Sequence, residues 1–274
     1  MTQAHAPAPP PTDVWIEHPA GRLFGRIWTP SGADARTKHD VPIVMLHDSL
    51  GCVELWRDFP AALSAATGRR VIAYDRLGFG RSAPRHGDLP LDFIADEARS
   101  YFPAVRAQLG FERFIAFGHS VGGGMAVNCA AEFGADCKAL ITVAAQAFPE
   151  ARTLAGIRIA KEQFKDPAQV ERLGKYHGDK ARWVLDAWTE TWLSPAFAGW
   201  SLTPVLPRVR CPLLAVHGVD DEYGSPRHPE IIGQHSGASR VQVEIMPHTR
   251  HMPHREHPEA VIGLMHEFLS ELDD

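Results

Sequence analysis

Apolar residues in this chain fall into short, nearly unbroken runs that alternate with longer stretches in which they recur every three or four positions. The runs at 43–46, 70–74, 114–117 and 139–144 read as buried strands, and the stretches at 56–66, 91–109 and 121–133 as helices. Strand and helix taking turns at this spacing imply right-handed crossovers and a parallel sheet covered on both faces. Two segments ahead of this alternation, 14–18 and 22–28, flank Pro19-Ala20-Gly21 and predict an antiparallel hairpin at the sheet edge, followed by a polar loop over 31–40. Strands at 211–216 and 241–246 and a last helix starting near Pro258 resume the pattern, for eight strands in all. Pro103 lies inside the second helix and predicts a kink there.

Between residues 148 and 207 the alternation stops, and 157–193 is helical in period with no convincing strand. The chain therefore divides into a loose tail (1–12), a core domain (13–147 and 208–274) and a helical insertion (148–207). The insertion holds most of the tryptophan. Packing onto the core accounts for most of these rings, and Trp188 and Trp192, one helical turn apart, are the candidates for an apolar pocket.

The chemistry concentrates at strand ends. Gly118-His119-Ser120-Val121-Gly122 stands between the strand at 114–117 and a helix that opens with glycines. This is the form of a nucleophile elbow, a turn so tight that only glycine fits on either side, with the serine hydroxyl held out at the helix N-terminus. Serine needs a base and an orienting acid to react. Acid candidates Asp220 and Asp221 follow the strand at 211–216, and His248, His251, His254 and His257 follow the strand at 241–246. Their three-residue spacing suggests a metal site, but Pro247, Pro253 and Pro258 break any helix that would align the rings, and no cysteine pair or carboxylate at ligand spacing accompanies them.

These motifs resemble the α/β-hydrolase fold family from about Trp15 to Leu269. Four landmarks carry the resemblance in order: the strand-end loop Met45-Leu46-His47-Asp48-Ser49-Leu50-Gly51, the turn Tyr74-Asp75-Arg76-Leu77-Gly78-Phe79-Gly80-Arg81-Ser82, the elbow, and Gly218-Val219-Asp220-Asp221 with the later histidine. The resemblance implies an α/β-hydrolase fold, a mostly parallel eight-stranded sheet with helices on both faces and a small helical cap over 148–207. It places the acid third after the glycine, on Asp221, with Asp220 the alternative, and the base on His251, leaving the other three histidines as loop and surface residues. It also implies an oxyanion hole from the backbone N–H groups of Val121 and Ser49, with Leu50 a second option for the latter. Asp48 departs from the family here, standing where glycine is commonest. Cys52 lies close to this loop, but the elbow serine already fills the nucleophile's role.

With 274 residues, 45% of them apolar, the chain can bury the core of one α/β domain with an insertion. A formal charge of −5 without a basic run argues against nucleic acid or an anionic membrane as partner. Cys52, Cys129, Cys137 and Cys211 lack disulfide or zinc spacing and read as reduced core thiols. Residues 1–12, rich in alanine and proline, carry neither a basic segment nor a hydrophobic one, so a cytoplasmic protein is expected. The resemblance thus implies a cofactor-free serine hydrolase acting on a small, largely apolar carboxylic ester, with a homodimer as an open option. The alternatives are a carbon–carbon bond hydrolase of aromatic degradation, a perhydrolase or haloperoxidase that shares Gly122-Gly123-Gly124, and, outside catalysis, a hydrolase-fold ligand receptor.

Overall fold

The computed structural model describes residues 9–31 and 41–272; the expected tail lies outside these up to residue 8, and the expected polar loop from residue 32. Eight strands form one sheet: β1 (Thr12–Ile16), β2 (Leu23–Trp28), β3 (Ile43–Leu46), β4 (Val71–Tyr74), β5 (Phe114–His119), β6 (Cys137–Val143), β7 (Leu213–Gly218) and β8 (Val241–Met246). Their order across the sheet is β1-β2-β4-β3-β5-β6-β7-β8. β2 pairs antiparallel with both β1 and β4, and every pairing from β4 through β8 is parallel. The chain order turns back at β3, so the carboxyl ends of β3 and β5 flank the crevice where open sheets of this kind bind ligands.

Successive residues of the central strands are buried on opposite faces, which is why these strands read as unbroken apolar runs. Val44, Leu46, Ala116 and Leu140 belong to one core, while Ile43, Met45, Phe117 and Ile141 belong to the other. The elbow helix Val121–Phe133 packs in the first, and the final helix Pro258–Ser270 in the second.

The kink expected at Pro103 takes a specific form. Phe93–Asp96 and Phe102–Leu109 are α-helical, and Glu97–Tyr101 between them is a wide π turn. Proline has no N–H to give to a carbonyl four residues back, and widening the preceding turn absorbs the missing bond without breaking the helix. The insertion is helical earlier than its periodicity suggests: Ala151–Gln163, Pro167–His177 and Ala181–Leu193. A helix at Arg227–His235, between β7 and β8, was not anticipated.

Candidate active site

Ser120 adopts φ +55° and ψ −125°, a conformation that L residues rarely hold. The neighbouring glycines leave no alternative. A Cβ on Gly118 would fall on the carbonyl of Gly122, and one on Gly122 would fall on that of Leu46. The turn is fixed by Ser120 N–H donating to Val143 O (2.9 Å) and Gly123 N–H donating to Ser120 O (2.9 Å).

Nε2 of His251 lies 3.1 Å from Ser120 Oγ, and its Nδ1 lies 2.9 and 2.8 Å from the two carboxylate oxygens of Asp221. The carboxylate accepts a hydrogen bond from Nδ1–H, which fixes the tautomer and leaves Nε2 free to accept from the serine hydroxyl. Asp221 is fully buried, whereas the adjacent Asp220 is exposed and uses its backbone N–H to donate to Thr249 O (2.9 Å). The fourth landmark acquires its reason at Gly218. Any Cβ there would meet the carbonyls of Thr249 and Arg250, so only glycine lets the loop after β8 cross the end of β7 and bring His251 to Asp221.

Burial disfavours charge on both members of the pair, but their mutual attraction outweighs it. For His251, desolvation pulls the pKa down while the charges of Asp221, Asp48 and Glu222 and the Asp221 hydrogen bond push it up, with a net rise above the ordinary imidazole value. For Asp221, desolvation pushes up while His251, His217 and the N–H of Tyr223 pull down, with a net fall. Two of these supports had no sequence signal beyond their place at a strand end. Tyr223 N–H donates to Asp221 Oδ1 (2.7 Å), and His217 Nε2 lies 3.3 Å from Oδ2 and 3.1 Å from Gly224 O. Because the Gly224 carbonyl can only accept, His217 Nε2 carries a proton and donates, and burial lowers the His217 pKa. Gln146, after β6, was also missed; its Oε1 is 3.3 Å from Ser120 Oγ and competes with His251 for the hydroxyl proton.

The loop after β3 is held from beneath. Asp48 O faces His47 Nδ1 (2.8 Å) and accepts from Arg76 Nη2 (2.8 Å), while Arg76 N–H donates to His47 Nε2 (3.1 Å). Asp75 accepts from Val53 N–H (2.6 Å) at the far end of the loop and from Arg81 N–H (2.7 Å). The second landmark is therefore a clamp for the first. Because the Asp48–Ser49 peptide is trans, pinning its carbonyl toward Arg76 turns the Ser49 N–H the other way. The Val121 N–H, in the first turn of its helix, has no partner carbonyl four residues back.

A cavity of about 250 Å³ opens over Ser120 and His251, with Ser49, Leu50, Trp188 and Trp192 in its lining. Trp188 and Tyr223 stack edge to face (5.8 Å between centroids), and Tyr223 in turn stands against His251 (4.9 Å). Trp192 also packs with Phe197 and Trp200 (5.2 and 5.7 Å), so it serves both packing and pocket. Burial pushes the Cys52 thiol up to about 12, which leaves it no thiolate to act as nucleophile. Among the described residues no group of three or more histidine, cysteine, aspartate or glutamate side chains could hold a metal ion.

One expectation is corrected here. His248 and His257 are exposed as loop residues, but His254 is buried, with its ring 4.5 Å from that of His119 and 5.0 Å from that of Trp56. It is the second residue of the short helix Pro253–Glu256, which turns it inward toward Trp56, Phe59 and His119. His119, beside Ser120, places Nε2 2.9 Å from His251 O and so holds the backbone of His251.

The family model for the α/β-hydrolase fold matches residues 41–166, which run from β3 through the elbow into the insertion. The chain has the α/β-hydrolase fold. Serine hydrolase BPHL of Mus musculus is 28% identical over 220 residues, covering 77% of this chain and 74% of its own. Among solved structures, a serine hydrolase involved in carbazole degradation (the CarC enzyme) superposes with a TM-score of 0.73 at 19% identity, covering 95% of this chain and 99% of its own. The enol-lactonase of Burkholderia xenovorans gives 0.69 at 19%, covering 94% and 100%. These likenesses extend the α/β-hydrolase fold over nearly the whole chain and give it serine hydrolase relatives. Among the described residues no helix is long and apolar enough to cross a membrane.

Proposed function

We propose that this α/β-hydrolase cleaves a small, largely apolar carboxylic ester through an acyl-enzyme on Ser120. The observation that carries the reading is the continuous path from Ser120 Oγ to His251 Nε2 (3.1 Å) and from His251 Nδ1 to Asp221 (2.8 Å). Ser120 attacks the acyl carbon while His251 takes its proton, and Asp221 holds the ring and stabilises the imidazolium. The N–H groups of Val121 and Ser49 receive the charge that develops on the carbonyl oxygen, each contributing about 2–4 kcal/mol at the transition state. His251 then protonates the leaving alcohol, and water repeats the sequence on the acyl-enzyme.

The cavity favours an apolar ester because Leu50, Ile157, Trp188 and Trp192 line it around the serine. Fluorophosphonate labelling with turnover of aryl esters tests the reading. Wild-type protein is expected to take the label on Ser120 and hydrolyse phenyl esters, while Ser120→Ala loses the label and about six orders of magnitude in kcat. Turnover of a vinylogous diketone but of no ester would overturn it in favour of carbon–carbon bond hydrolysis. An unlabelled Ser120 with tight ligand binding would overturn it in favour of a receptor.

A further inference from the structure

A second cavity, of about 310 Å³, lies beside the first and shares Asp48, Leu50 and Met252 with it. The two differ in charge. Asp48 and Glu222 line the first cavity, with no arginine or lysine among its lining residues. The second is lined by Arg172 and Arg255, and Asp48 is its one acid. Arg172 comes from the helix Pro167–His177 and Arg255 from the short helix Pro253–Glu256, so two separate elements bring a cation to the cavity.

Neither arginine forms an ion pair with a carboxylate among the described residues; Arg172 is exposed and Arg255 partly buried. Arg255 instead hydrogen-bonds Met252 Sδ (3.5 Å). Its pKa is lowered, first by burial and then by the positive charge of Arg57, against an opposing pull from Asp48. Arg57 itself has no acidic partner among the described residues. Below these cations the lining is apolar and deeply buried: Cys52, Trp56, Leu173 and the neutral rings of His119 and His254, whose pKa values burial drives down.

An apolar floor under two unpaired guanidinium groups matches an apolar arm that ends in a carboxylate, because the planar fork of arginine accepts a carboxylate through two parallel hydrogen bonds. We infer that this second cavity is a subsite for anionic esters, in which the ester lies over Ser120 and one arm of the substrate passes Leu50 and Met252 to set its carboxylate between Arg172 and Arg255. This rests on the esterase reading and names its substrate class. Glu222, which lines only the first cavity, repels a carboxylate placed there and so favours this orientation over the reverse, whereas Asp48 lies in the wall common to both.

The test compares monophenyl adipate with the neutral phenyl hexanoate, in wild type and in the single variants Arg172→Met and Arg255→Met. Wild type is expected to show a kcat/KM at least about tenfold higher for the adipate, and each variant to reduce that ratio about tenfold. A ratio near one in wild type, or one unmoved by both substitutions, overturns the subsite. The ratio is unaffected by any fraction of a variant that fails to fold. A binding arm separates failure of the subsite from failure of the esterase reading: titration of Ser120→Ala with 4-phenylbutyrate and 4-phenylbutyramide. Tighter binding of the carboxylate, with the preference lost on adding Arg255→Met, supports the subsite even if no ester is turned over. Equal binding of the two overturns it even if esters are.

Discussion

The strand-end loops and the helical cap meet over the same serine, yet they are held by different kinds of force. At the strand ends, position is set by backbone: glycines at 118, 122 and 218 that admit no Cβ, a serine forced to positive φ, and carbonyls pinned by buried side chains. The cap is held by side chains. His177 takes the N–H of Gly80 on Nδ1 (2.8 Å) and reaches Leu50 O through Nε2 (3.0 Å), Lys180 donates to Gly80 O (2.7 Å), and Trp183 donates to Gly87 O (2.9 Å). A backbone-determined site tolerates little variation, whereas side-chain contacts can be exchanged one by one. The difference predicts that chemistry resides in the first region and substrate preference in the second.

The sharpest way to break that division is at the acid. Asp221→Asn should leave the fold intact, present the wrong imidazole tautomer to Ser120 and lower kcat by about four orders of magnitude. Asp220→Asn, at an exposed carboxylate, should change kcat less than about twofold. Steady-state kinetics on a phenyl ester decide it, and a large effect at Asp220 would reassign the acid.

On the cap side, Trp188→Ala removes a ring that stacks on Tyr223 and should raise KM about tenfold with kcat little changed. A fall in kcat comparable to that of Asp221→Asn would mean that the cap also positions the base, through Tyr223 and His251. The smallest effect expected is in pH dependence. In the proposed mechanism the neutral His251 accepts the proton, so kcat/KM should rise with pH through its pKa, and the net rise of that pKa places the acid limb above that of an unperturbed imidazole. Removing the acidic influence of Glu222 with Glu222→Gln should move the limb toward lower pH; a limb that stays put would assign it to another group.

The same contrast explains what could be read from the sequence. Unbroken apolar runs fixed the strands of a sheet buried on both faces, and the glycine spacing marked the elbow, because both depend on local sterics. The helix at Arg227–His235 went unassigned, and the segment at 91–109 divides around a π turn whose cause, Pro103, was visible but whose form was not. His217, Gln146 and His254 were missed or misjudged because their roles depend on which loops meet in space, and no single stretch of chain records that. Asp48, where the family commonly has glycine, is accommodated because its backbone does not adopt a positive φ.

The crossing at Gly218 has a mechanical meaning. With the backbone of Thr249 and Arg250 lying directly against it, the loops after β7 and β8 form one interlocked body. The insertion is tied to that body as well, with Arg152 Nη1 donating to Asp221 O (3.1 Å) and Thr153 Oγ1 donating to Tyr223 O, so a shift of the helical roof is felt at the carboxylate that faces His251.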